Sequence, residues 1–153
     1  MVMNKQTEQI LQEDATVLKN IAAPLCQTIG LNHFSWTGRF NPCQAIKMTT
    51  CPEWIEYRKN LQLPVQQKYT EVTSSGGWQP DYAIWDYLSN SHSTFNHVSS
   101  LKMKFDLAHS LTITERHKNY LDIYCFSTSQ ENRHINGYYE REPERFKQFI
   151  LYF

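Results

Sequence analysis

What this sequence lacks narrows its function before any motif is sought. It carries no charge excess: 15 Lys and Arg stand against 15 Asp and Glu in 153 residues, a formal net charge of 0. Neither half holds a run of like charge that would grip a nucleic-acid backbone or an anionic lipid surface. This segment alone is a poor candidate for gripping DNA. No stretch nears the roughly 20 apolar residues that cross a bilayer. The start, Met1 to Glu13, is polar rather than a basic segment followed by an apolar one. The expectation is a cytoplasmic protein with no membrane association.

Catalytic signatures are missing too. There is no Gly-rich phosphate loop, no Gly-x-Ser-x-Gly elbow, no His-Glu-x-x-His and no acidic metal cluster in the sequence. The four cysteines, Cys26, Cys43, Cys51 and Cys125, form no Cys-x-x-Cys pair and do not cluster with histidines at metal-binding spacing. The histidines (His33, His92, His97, His109, His117 and His134) are scattered. Cys125 and His109 or His117 can meet across a hairpin as a thiolate and base, but nothing marks an oxyanion site beside them. No enzyme, metal or cofactor is expected, and the thiols read as free ones in a reducing compartment.

The chain is instead rich in rings. Aromatic residues reach 14%, with four Trp, nine Tyr and eight Phe. Rings give large apolar area with few rotors, and Tyr and Trp add a polar tip, which suits a core and equally the wall of a pocket for an amphipathic molecule. Trp36, Trp54, Tyr57, Tyr69, Trp78, Tyr82 and Trp85 come from well-separated segments. They are read as one pocket wall, with Asp81 and Asp86 as charged partners of the ligand.

Hydrophobic periodicity gives the elements. Between Asn4 and Ile29, apolar residues recur at three- and four-residue steps, which predicts a helix kinked or interrupted at Pro24 and stopped at Gly30. Alternation from His33 to Phe40, then Gln44 to Thr50, predicts a hairpin. A short helix is expected from Glu53 to Leu61 after Pro52, then a long irregular loop from Gln62 to Asp81. Tyr82 to Leu88 reads as a strand, and a helix runs from Asn90 or Ser91 to about Leu107. Ser110 to Glu115 and Leu121 to Ser127 form a second hairpin near the sheet centre. A helix from Glu131 to Tyr139 and another opened by Pro143 close the chain.

That order predicts a single α/β (α+β) domain over residues 1–153, a PAS/GAF-like α/β/α sandwich with a central antiparallel sheet of four to five strands. The last helix stops on Phe153 in mid-stripe, as if cut from a longer protein.

Three segments carry a family resemblance: Leu25 to Phe40 (LCQTIGLNHFSWTGRF), Cys51 to Tyr57 (CPEWIEY) and Trp78 to Leu88 (WQPDYAIWDYL). They resemble the N-terminal sensor half of LuxR-type transcriptional regulators. The resemblance implies an α/β/α sandwich that binds acyl-homoserine lactones in quorum sensing, followed by a helix-turn-helix domain that binds DNA as a dimer. Trp54 and Trp85 would match ligand-contacting tryptophans. Where the family tyrosine is expected, this chain has Arg58, with Tyr57 one place off. The family's ligand-binding aspartate has no counterpart, since Leu63 to Val72 contains only Glu71 as an acid. A buried amide without its acceptor costs about 1–3 kcal/mol, so a small amphipathic ligand other than the standard lactone is expected. The competing expectation is a ligand-free homodimerisation or protein-interaction module that uses Phe146, Phe149 and Phe153.

Overall fold

Two hairpins and one short strand assemble the centre of the molecule. The computed structural model describes residues 7–10, 15–41, 44–61, 81–89 and 93–153; the loop expected from Gln62 to Asp81 lies outside them except for Asp81. In chain order the elements begin β1 (Thr7–Ile10), α1 (Ala15–Ile29), β2 (Leu31–Asn41), β3 (Gln44–Thr49) and α2 (Pro52–Asn60). They continue β4 (Tyr82–Ile84), α3 (Trp85–Ser89), α4 (Ser93–Lys102), a 3-10 turn (Met103–Phe105), β5 (Ala108–Arg116), β6 (Leu121–Thr128), α5 (Ile135–Arg141) and α6 (Pro143–Tyr152).

The sheet runs β1-β3-β2-β6-β5-β4. Strands β2 to β6 pair antiparallel throughout, and β1 joins the free edge of β3 in parallel. Helices cover both faces, so the chain is the expected α/β sandwich with five antiparallel strands, extended by one parallel edge strand. The second hairpin, β5–β6, lies inside the sheet, with β6 between β2 and β5.

Three local departures have physical reasons. The stretch read as one long helix from Asn4 is split into β1 and α1, because the open edge of β3 offers backbone partners that periodicity does not register. Helix α1 passes through Pro24 unbroken. Its inward positions Leu18 and Ala22 are buried on the sheet, which holds the helix across the missing hydrogen bond. It ends as expected at Gly30, whose φ of 76° lets the amide donate to the Cys26 carbonyl at 2.8 Å. The run Tyr82 to Leu88 is a strand only to Ile84 and then helix α3, because Tyr82 and Ile84 complete the edge against Ile113 and Leu111 of β5 before the chain must leave the sheet.

The two faces are built differently. One packs against α1, α5 and α6 through Phe34, Leu111, Ile113, Tyr124 and Phe126. Phe126 is fully buried, with Phe34 and Phe146 both at 5.1 Å between ring centroids. The other face, under α2, α3 and α4, presents Ser35, Thr37, Lys47, Thr112 and Cys125 beneath a small cluster of Trp54, Ile55, Trp85, Val98 and Leu107.

Candidate functional site

Alternation along the strands sends polar side chains of β2, β3, β5 and β6 to the α2–α4 side. Between them and those helices lies a cavity of about 60 Å³. Its floor is Ser35, Thr37, Lys47, Thr112, Ile123 and Cys125, and its roof is Trp54, Ile55 and Arg58 of α2, Trp85 of α3, and Val98 and Lys102 of α4. Trp54, Ile55 and Arg58 face inward together because positions i, i+1 and i+4 share one side of a helix.

Trp85 ties roof to floor: its indole Nε1 donates to Thr112 Oγ1 at 2.7 Å. Lys102 reaches in from the last turn of α4. Its ammonium donates to Ser110 Oγ at 2.8 Å and Ser127 Oγ at 3.1 Å, contacts Cys125 Sγ at 3.8 Å, and lies 4.3 Å from the centre of the Trp85 ring. Burial pulls the Lys102 pKa below the usual lysine value, with the Cys125 thiol acting in the opposite direction. Beside it, His33 donates or accepts at Thr49 Oγ1 over 3.3 Å, while its Nδ1 has no hydrogen-bond partner. Burial, then the Lys102 and Lys47 charges, hold the His33 pKa well below that of an ordinary histidine. The ring is therefore neutral at pH 7.

The rings expected to form one wall are divided. Trp54 and Trp85 line the cavity. Tyr57 packs beside Trp54 and Phe105, and its hydroxyl accepts from Lys104 Nζ at 2.8 Å. Trp36 and Tyr82 belong to the opposite face. The Trp36 ring lies across Gly38, where a Cβ would stand 2.8 Å from it, and its Nε1 donates to Asp122 Oδ1 at 3.0 Å. The Tyr82 hydroxyl donates to the Tyr139 carbonyl at 2.6 Å. Tyr69 and Trp78 lie outside the described residues. Asp81 is engaged by Arg116, and Asp86 by His109 and Asn136, away from the cavity lining.

Sequence reading passed over Ser35, Thr37, Lys47, Thr112 and Lys102. Their signal was present as polar residues alternating with apolar ones, but that pattern is normally the solvent side of a half-buried strand. Arg58 was noticed only as a departure from the family pattern, and it is 7% exposed on the cavity wall.

The thiol-and-base arrangement has no geometric support: Cys125 contacts Lys102, while His109 and His117 are held by Asp86 and Asp122. At the β5–β6 turn, Glu115, His117 and Asp122 bring ligand-type atoms within 4.8 Å of one another. His117 Nε2 is 2.9 Å from Asp122, whose other oxygen takes the Trp36 proton, so the group pins the hairpin to β2.

A second cleft of about 220 Å³ shares Lys102 with the first and opens toward Asp86, His109 and Arg133. His109 has a φ of 48°, uncommon for a non-glycine residue, and sits where the β5–β6 register shifts.

No helix among the described residues is long and apolar enough to cross a membrane. No protein-family profile matches the chain, and no curated protein matches it in sequence. Among solved structures, SdiA in complex with octanoyl-rac-glycerol is similar, with a TM-score of 0.53 at 16% identity over 74% of this chain. The aligned region is 47% of that chain, about half its length. This chain therefore shares the fold of part of SdiA, a LuxR-type quorum-sensing regulator.

Proposed function

We propose that this chain is the signal-binding domain of a LuxR-like transcriptional regulator, with its ligand site in the cavity between the sheet and α2–α4. The observation that carries the reading is that cavity itself: Trp54 and Trp85 over a polar floor, in a fold shared with part of SdiA. An amphipathic ligand is the class to test first, since SdiA was solved with octanoyl-rac-glycerol. The standard acyl-homoserine lactone is disfavoured, because the cavity lining among the described residues offers no carboxylate to accept a ligand amide proton. Ligand binding would favour one conformation of the domain and so the pose of a DNA-binding domain outside this chain, in a cytoplasmic homodimer of PAS-like sensors. No catalytic role is assigned to it.

A second reading, a ligand-free interaction module, loses the face expected for it, since Phe146, Phe149 and Phe153 pack into or against the core, and draws instead on exposed apolar residues: Val17 and Ile21 on α1, and Leu151 and Tyr152 at the end of α6. Native mass spectrometry of the full chain, before and after denaturation, separates the two. The sensor reading expects a discrete adduct released on unfolding, or a mass shift and raised Tm when a lipid-soluble host extract is added. A clean mass with no thermal response would replace it with the interaction module.

A further inference from the structure

Lys102 stands between two hollows. On one side is the cavity under Trp54 and Trp85, and on the other is the cleft of about 220 Å³ walled by α4, the start of β5 and the segment after β6. An ammonium has three N–H donors. Two of them go to Ser110 Oγ at 2.8 Å and Ser127 Oγ at 3.1 Å, and its other side-chain neighbours are the Cys125 thiol at 3.8 Å and the face of the Trp85 ring at 4.3 Å. None of these is a carboxylate, yet the side chain is only 2% exposed. Burying an ammonium is costly unless an opposite charge accompanies it, and hydroxyl dipoles replace only part of its hydration.

The larger cleft can admit that charge. Ser110, whose hydroxyl meets the ammonium, lines it beside Lys102. Arg133 lines it from the exposed side, and among the described residues its guanidinium forms no ion pair. The acid of this lining, Asp86, is held by His109 at 2.5 Å and Asn136 at 2.6 Å. Its charge repels a second negative charge on any ligand, which disfavours a phosphate or a dicarboxylate. Met103, Leu107 and Ala108 supply an apolar side. The volume exceeds the roughly 150 Å³ that holds a benzene ring. The backbone also leaves the regular ladder here, with His109 at a φ of 48° and the β5–β6 register shifting between Ala108 and Leu111, and such bulges re-aim side chains beside binding sites.

We propose that this cleft is a second binding site, for a small monocarboxylic acid whose apolar body is about the size of a benzene ring. The carboxylate accepts from Lys102 and Ser110 on the inner side and pairs with Arg133 on the outer, while the body lies against Met103, Leu107 and Ala108. The assignment is independent of the sensor reading, since Arg133 and these three apolar residues take no part in lining the first cavity.

Isothermal titration of the full chain with benzoate and with benzamide, in one buffer of fixed chloride concentration, tests it. Benzoate should bind roughly tenfold more tightly than benzamide, the worth of one charge-assisted hydrogen bond. Lys102→Met should erase that preference. Arg133→Gln should weaken benzoate by about threefold, as a partly exposed pair does, and leave benzamide and the Tm unchanged. Because Arg133 is exposed, this variant keeps the test readable if Lys102→Met does not fold. Equal or tighter binding of benzamide to the wild-type chain would overturn the assignment of charge. Benzoate affinity untouched by Arg133→Gln would overturn the placement in this cleft, and silence from both probes would overturn the site altogether. Each of these results leaves the sensor reading to the native mass spectrum, where a released adduct still supports it and a clean mass without thermal response still removes it.

Discussion

The two faces of one sheet follow opposite rules. Under α1, α5 and α6 the strands present rings and aliphatics that interlock: Phe34 packs on Phe126 and Phe149, each at 5.1 Å, and Phe126 on Phe146. Under α2–α4 the same strands present hydroxyls, a lysine and a histidine out of reach of bulk water, and a half-buried thiol. The first face gains stability from apolar burial and close packing. The second gives some of it up, since it buries charge and leaves a cavity, as the proposed ligand site requires.

Three measurements press on this contrast. The largest effect belongs to the ring face. Phe126→Ala should destabilise the chain by about 3–5 kcal/mol, read as a lowered denaturant midpoint. A loss below about 1 kcal/mol would mean that the ring face is not the main source of stability.

On the cavity face, pH is the probe. The folded-state pKa of His33 is depressed below its unfolded value of about 6.5. Between those two values the unfolded chain binds a proton that the folded chain does not. Stability is therefore full above pH 6.5 and falls as the pH drops through that window, by up to about 1.4 kcal/mol per pH unit. His33→Gln should flatten the slope of urea-derived stability against pH between 6.5 and 5. An unchanged slope would place the acid sensitivity on another group.

The smallest effect tests the tie between roof and floor. Trp85→Phe keeps an aromatic ring, though a smaller one, and removes the 2.7 Å bond to Thr112, a loss of about 1 kcal/mol for the bond itself. It should also weaken ligand binding more than stability would suggest. A Tm and an affinity both equal to wild type would mean that the indole N–H is dispensable to the site.

Much of this architecture was legible in the pattern of residues. Alternation in His33 to Phe40 and in the two runs Ser110 to Glu115 and Leu121 to Ser127 marked both hairpins, because a strand with one apolar face repeats every second residue. Pro52 and Pro143 marked the starts of α2 and α6, where a missing amide proton costs nothing. The site was legible only in part. Trp54 and Trp85 were identified, but their type could not separate them from Trp36 and Tyr82, since a ring suits a core and a pocket alike. Lys102 gave no local sign: a lysine at the end of a helix is ordinarily a solvated group near the negative end of the dipole.

By itself, then, the sequence determined most of the element types, the antiparallel hairpins and the excess of rings, because these follow from local periodicity and backbone chemistry; β1 and α3 were the exceptions. Tertiary structure alone decided which face each ring joined, that β1 would pair with the edge of β3, and that Lys47, Arg58 and Lys102 would stand around one cavity. Those outcomes depend on packing helices over both sides of the sheet, which turns the polar half of each strand from a surface into an interior.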